Sequence, residues 1–184
     1  CIRDRFRAAG IKEVADLGCG IGAESMAMAA LDIKVRAFEI DEVTAAVATY
    51  NLAAFENVTV ELANVEDLDL SKFEALFLDP ARRELNGPKK AEAQRHFDPA
   101  NYSPNFDFCL AAARTKPTGI KLGPGHDKRQ IPNDAEAQWV SVDGDLVELG
   151  LWFGPLKRNN VARSALLLTT EGQHEITSSE ADSP

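Results

Sequence analysis

The chain has 184 residues, of which 45% are hydrophobic and 27% charged, and a formal net charge of −9. At roughly 150 residues per domain this predicts one domain, large enough for its own core and too apolar to be disordered. Its three cysteines (Cys1, Cys19, Cys109) form no paired framework and no zinc-knuckle spacing, no apolar run reaches the ~18 residues of a membrane span, and the acidic total argues against a general nucleic-acid binder.

The first residues, Cys1 to Arg7, have no apolar segment of the signal-peptide kind behind them, so a cytoplasmic location is expected. Short apolar runs of strand length then alternate with helical patterns. Glu13–Leu17, Lys34–Ile40, Val58–Leu62 and Ala75–Leu78 read as strands, and Thr118–Leu122 as a weaker fifth. Between them, Ala23 to Leu31 reads as a helix. A second helix follows, with Val43, Ala46, Val47, Tyr50 and Ala54 as its apolar stripe. Ser103 as N-cap and Pro104 as first residue predict a third helix, buried through Phe106, Cys109, Leu110 and Ala113. Repeated strand–helix alternation means an α/β fold with a parallel sheet covered on both faces. Trp139–Val142, the pair Asp143-Gly144 and Asp145–Phe153 then read as a hairpin, with Arg163–Thr170 as one more strand. Residues 1–172 are taken as the domain and 173–184 as a polar tail or linker, and the chain reads as a piece of a longer protein.

Four stretches carry chemistry. Asp16-Leu-Gly-Cys-Gly-Ile-Gly22 lies where the first strand gives way to a helix, and Gly18, Gly20 and Gly22 would let a ligand approach main-chain N–H groups. The spacing differs from that of dinucleotide binders, and Asp16 would repel a pyrophosphate but suit a ligand with a positive amino group. Glu39 closes the second strand where an acid can bind ribose hydroxyls, with Ile40 beside it and Asp41 capping the next helix. Asn64, next to Val65 after the third strand, offers both donor and acceptor to an adenine edge, or simply fills a loop. Asp79-Pro80-Ala-Arg82-Arg83 ends the fourth strand, where open α/β sheets place their ligands; a plain Asp-Pro turn is the alternative. Residues 79–129 hold ten basic and six acidic side chains, so a basic face on an acidic body is allowed. Arg82, Arg83, Lys89 and Lys90 are its candidate phosphate contacts.

In this order the four stretches resemble the class I S-adenosylmethionine-dependent methyltransferases, from about Glu13 to Thr170. Within that superfamily, Asp79–Arg83, Gly119–Gly125, Glu136–Ser141 and Gly144–Glu148 resemble bacterial methyltransferases that carry a THUMP-like domain, distant relatives of the trimethylguanosine synthases. The resemblance implies a Rossmann-like, three-layer α/β/α domain whose seven-stranded sheet has the order 3-2-1-4-5-7-6, strand seven antiparallel. It also implies S-adenosylmethionine as cofactor, bound by Asp16, Gly18, Gly20, Gly22, Glu39, Ile40, Asn64, Val65 and Asp79. Asp79, Pro80 and Arg82 become the catalytic candidates, RNA the substrate, and a further domain the partner. Ala81 and Arg82 stand where amino-group methyltransferases of nucleic acids often have a second proline and an aromatic; Arg82 could stack through its guanidinium.

A nicotinamide-dependent oxidoreductase and a cofactor-binding module without catalysis are the rival readings. His96, His126 and His174 lack metal-ligand spacing, and Cys19, Trp139, Trp152 and Phe153 are expected to pack.

Overall fold

The computed structural model describes residues 2–81 and 102–179. Strands β1 (Glu13–Leu17), β2 (Lys34–Glu39), β3 (Val58–Leu62), β4 (Ala75–Leu78) and β5 (Thr118–Leu122) lie parallel. β7 (Asp145–Phe153) runs antiparallel to β5 and to β6 (Glu136–Val142); β8 (Arg163–Thr169) is parallel to β6, and β9 (Gly172–Ser178) antiparallel to β8. The order across the sheet is β3-β2-β1-β4-β5-β7-β6-β8-β9. Its first seven positions are the expected Rossmann-like arrangement, but among the described residues the sheet has nine strands, not seven.

The two additional strands extend the far edge. Residues 173–178, expected as tail, belong to β9. Their side chains are mostly exposed, so no apolar period marks them. The backbone ladder to β8 holds them, and Glu175 accepts hydrogen bonds from Gln138 and Arg158. At the hairpin tip Asp143 and Gly144 have φ of 49° and 94°, the left-handed pair that a two-residue turn between twisted strands requires.

Two apolar cores lie on opposite faces of the sheet. Helices α1 (Ile2–Ala8), α2 (Ala23–Ala29) and α3 (Glu42–Leu52) close one, where Phe6, Met28 and Leu52 join Val14, Val35 and Phe77. Helix α4 (Phe106–Ala113) closes the other, where Phe106 and Cys109 join Leu17, Phe38, Leu76 and Leu78. Successive residues of β4 therefore enter different cores, and all four are buried, as a central parallel strand requires. Trp152 and Phe153 are core residues, as expected.

Two helix expectations need correcting. The predicted stripe of α3 faces solvent: Val43 is 72% and Tyr50 83% exposed, while Ala45, Ala48 and Leu52 are buried. The sheet side has room for little more than methyl groups, and a Cβ on Gly22 would come within 2.7 Å of Leu52 Cδ1. Helix α4 is capped by Asn105, whose Oδ1 accepts from the Phe108 N–H at 2.8 Å, and not by Ser103. Ser103 is engaged elsewhere: its backbone pairs antiparallel with Ala81, at 2.8 and 3.1 Å.

Far from these ends, Glu136 on β6 is fully buried and serves as a tether. It accepts from the Arg5 guanidinium of α1, from the Arg158 N–H at 2.8 Å and from the Arg158 guanidinium at 2.7 Å.

Candidate functional site

Strand order reverses between β1 and β4, and the crevice beyond their carboxyl ends is where open α/β sheets hold ligands. A cavity of about 590 Å³ opens there, within the range of small-molecule sites. Asp16, Gly18, Gly20, Glu39, Ile40, Asn64, Val65, Asp79 and Pro80 all line it. Gly22 does not. It starts α2 at φ 89° with Leu52 against it, so its role is to let α2 and α3 approach. Arg82, Arg83, Lys89 and Lys90 lie outside the described residues.

The glycine turn is organised by two acceptors. Phe38 O receives the N–H groups of Gly18 and Cys19 at 3.0 and 2.9 Å. Glu39 receives Gly20 N–H at 2.9 Å on Oε2, and Ile40 and Asp41 N–H at 2.8 and 3.0 Å on Oε1. Glu39 is 9% exposed, and its carboxylate binds β2's end to the turn after β1. Gly20 has φ 55°, and nothing lies within 4 Å of where its Cβ would be, so main chain faces open space. Asp41 caps α3, accepting from Thr44 N–H at 2.8 Å, and those hydrogen bonds hold its carboxyl below the usual range. Asn64 caps the 3-10 turn Val65–Asp67, accepting from Glu66 N–H at 3.2 Å, while remaining on the cavity wall.

Asp16 is 1% exposed. Ser25 Oγ donates to its Oδ2 at 2.5 Å, and its Oδ1 is buried with no hydrogen-bond partner among the described residues. Burial pushes its carboxyl up to about 7, with the Ser25 hydrogen bond opposing and the nearby Glu24 and Asp79 adding to the rise. The same burial, with Asp16 and Glu39 adjacent, raises the Cys19 thiol to about 12, so Cys19 is a packing residue and no nucleophile.

Lys121 and Glu24 are site residues that the sequence reading did not assign. Lys121 Nζ donates to Asp79 Oδ2 at 2.8 Å and to Glu24 Oε1 at 3.3 Å. A signal for Lys121 was present: it is the one charged residue in a central strand whose other four residues are buried. Among the described residues, the cavity wall holds the carboxylates of Asp16, Glu24, Glu39, Asp41, Glu66 and Asp79 against Lys121 as its single basic side chain. Such a wall suits a cationic ligand and repels a pyrophosphate. No group of three His, Cys, Asp or Glu side chains that could hold a metal occurs among the described residues, nor a helix long and apolar enough to cross a membrane.

Removal of the Glu39 carboxylate is expected to act twice. Glu39→Ala leaves three amides of the turn without their acceptor and should lower stability by about 1–3 kcal/mol. It should also weaken any ligand whose hydroxyl groups donate to that carboxylate, by about 1.5–3 kcal/mol, the worth of hydrogen bonds to a charged group. Calorimetric titration alongside thermal melts separates the two; unchanged affinity would remove Glu39 from ligand contact.

No protein-family model matches the chain. Two proteins of Mycobacterium tuberculosis, strains CDC 1551 / Oshkosh and ATCC 25618 / H37Rv, are each described as an uncharacterized S-adenosylmethionine-dependent methyltransferase. Each is 29% identical over 175 residues, which cover 93% of this chain and 47% of the relative. The chain therefore spans about half the length of the curated relatives it matches. Among solved structures, a candidate methyltransferase of Porphyromonas gingivalis W83 superposes with a TM-score of 0.64 at 19% identity, over 96% of this chain and 47% of that one. An RNA methyltransferase of Salinibacter ruber in complex with S-adenosyl-L-homocysteine gives 0.54 at 15% identity, over 83% and 88%. An rRNA methylase of Streptococcus thermophilus gives 0.54 at 15%, over 82% and 93%. The chain is thus similar in sequence to S-adenosylmethionine-dependent methyltransferases and has the Rossmann-like fold of solved methyltransferases.

Proposed function

We propose that this chain is the catalytic domain of an S-adenosylmethionine-dependent methyltransferase that acts on RNA. The observation that carries the cofactor is Asp16: a buried carboxylate with one oxygen unpaired, on the wall of an acidic cavity, fits the amino group of the cofactor. Glu39 fits the ribose hydroxyls, and Ile40, Val65 and Asn64 fit the adenine. Bound there, the cofactor would supply a methyl group on a sulfonium: its sulfur–carbon bond would break as the acceptor–carbon bond forms, the sulfur would become neutral, and a proton displaced from the acceptor would pass to water. The chain's own part is positioning, with Asp79 and Pro80 beside the acceptor and Arg82 against its base.

RNA as acceptor is supported by the basic residues gathered between 79 and 129, and two structures that share the fold are RNA methylases. Arg82, Arg83, Lys89 and Lys90 are the proposed phosphate contacts, and a THUMP-like domain elsewhere in the full-length protein is the proposed partner. The acidic wall weighs against a nicotinamide cofactor, whose pyrophosphate would meet Asp16 and Glu24.

A ligand that binds only the folded state adds about 2.7 kcal/mol at 100 times its dissociation constant, roughly 5–11 °C in midpoint for a chain of this size. S-adenosylmethionine or its demethylated product should produce that rise, and NAD should not; the reverse ranking overturns the proposal. Transfer of tritiated methyl to total RNA, lost after nuclease treatment, tests the acceptor.

The cofactor reading also has a pH signature. Because the folded-state pKa of Asp16 lies above its ordinary value of 3.8, at about 7, the fold binds that proton more tightly than the unfolded chain. The unliganded protein should therefore lose stability between about pH 4 and pH 7, by on the order of 4 kcal/mol from this group. Pairing with a cation needs the ionised form, so S-adenosylmethionine affinity should rise on the order of tenfold from pH 5.5 to 7.5. Asp16→Asn should flatten both dependences in melts and titrations.

A further inference from the structure

Among the described residues the site contains a single basic side chain, and the proposed chemistry does not use it. Lys121 projects from β5 into the crevice, half-buried, and joins two elements with different tasks. Glu24 stands in the first turn of α2, directly after the glycine turn, and Asp79 ends β4 beside the proposed acceptor. The ammonium bridges the two at 3.3 and 2.8 Å. Around it the field is otherwise negative: Asp16 lies on β1, and Glu148 on β7 is a half-buried acid whose carboxyl is raised by burial, with Lys121 opposing the rise. Asp79 and Glu24 in turn hold the Lys121 ammonium above its ordinary range against the cost of burial.

A methyl donor enters this field as a cation at sulfur and leaves neutral. Carboxylates that bind the cation stabilise the reactant more than the transition state, in which that charge is already fading, and so slow the reaction they appear to help. The wall needs acids for the amino group and the ribose, yet free carboxylates near the sulfur would be a hindrance.

Resting on the cofactor reading above, we infer that Lys121 is a positioning residue that offsets half of the charge of Asp79 and Glu24, so that the cavity discriminates less between the charged donor and its neutral product than the bare carboxylates would. It fixes the Asp79 carboxylate through Oδ2, and it lets one cavity be acidic at the amino-group end without gripping the sulfonium at the other.

The test is the ratio of two affinities, which needs no acceptor. S-adenosylmethionine and S-adenosylhomocysteine are titrated calorimetrically into the wild-type chain and into Lys121→Met, Lys121→Arg and Glu24→Gln. Unmasking two carboxylates should shift the ratio on the order of tenfold toward S-adenosylmethionine in Lys121→Met. Lys121→Arg should keep the wild-type ratio within about twofold. Glu24→Gln removes one of the two carboxylates, leaves Lys121 paired with Asp79 alone, and should move the ratio the other way, which also serves if Lys121→Met does not fold. A merely structural lysine would weaken both ligands alike, and an unchanged ratio in Lys121→Met and Glu24→Gln overturns the inference while leaving the cofactor reading intact. Failure of both ligands to bind the wild-type chain overturns that reading and the inference with it.

Discussion

Asp79→Ala should reduce methyl transfer to total RNA by about 10²–10⁴-fold, the usual range for removing a side chain that handles a proton or orients its donor. Asp79 closes β4, is followed by the buried Pro80 and the Ala81–Ser103 backbone pair, and is fixed by Lys121, so its carboxylate is held before any acceptor arrives. Its loss should therefore appear in kcat more than in KM. Affinity for the neutral S-adenosylhomocysteine should stay within about threefold if Asp79 serves the acceptor; a larger loss would keep it in the cofactor-binding set where the resemblance also places it. The measurement is single-turnover transfer of labelled methyl, with the product titration as its control. Near-normal turnover would make Asp79-Pro80 a turn and move the catalytic assignment elsewhere.

The largest loss of stability should come from a residue far from the cavity. Glu136→Ala removes a fully buried carboxylate and leaves the guanidinium of Arg5, 13% exposed in its side chain, without that counter-charge. Breaking a buried pair from one side costs about 3–5 kcal/mol, roughly 6–20 °C in midpoint here. Arg158 retains Glu175 at 2.7 Å, which favours the lower half of that range. The pH dependence has a definite sign. Burial would raise the Glu136 carboxyl, but the Arg5 and Arg158 hydrogen bonds outweigh it and hold it below its ordinary value. Its stabilisation is thus present above the ordinary carboxylate range and lost as pH falls through the folded value. Wild-type melts should drop at acid pH in a way that Glu136→Ala melts do not, and parallel acid limbs would remove the tether from the stability account.

The parallel half of the sheet was legible because each strand there is a short run rich in apolar residues and each turn carries a glycine or an acid. Asp16, Glu39 and Asp79 could be found by position alone, since strand order fixes where the crevice opens. The face of α3 was not legible: two stripes satisfy helical spacing, and only the tight approach of Gly22 to Leu52 selects the smaller one. Lys121 stands out in the sequence only as one of the basic residues between 79 and 129 and as part of a strand pattern, although a lone lysine in a buried strand needs a partner. β9 escaped because backbone pairing and the Arg158–Glu175 contact, not apolar period, hold it. The cap of α4 shifted by two residues because Ser103 is engaged by Ala81, a contact between residues far apart in sequence that spacing along the chain does not reveal.

The seam beneath α3 has a consequence for how this scaffold could change. Ala45 and Ala48, both buried, bring the helix axis close to β2, and Leu52 already fills the space over the glycine turn. The position of α3, which follows the cavity residues Ile40 and Asp41 and carries Thr44, is thereby set by small side chains, and any enlargement there would lever the helix outward and carry Asp41 and Ile40 with it. Remodelling for a bulkier cofactor analogue has its freedom at the rim instead, at Ile21, Ile40 and Thr44, where side chains border open space and the helix need not move.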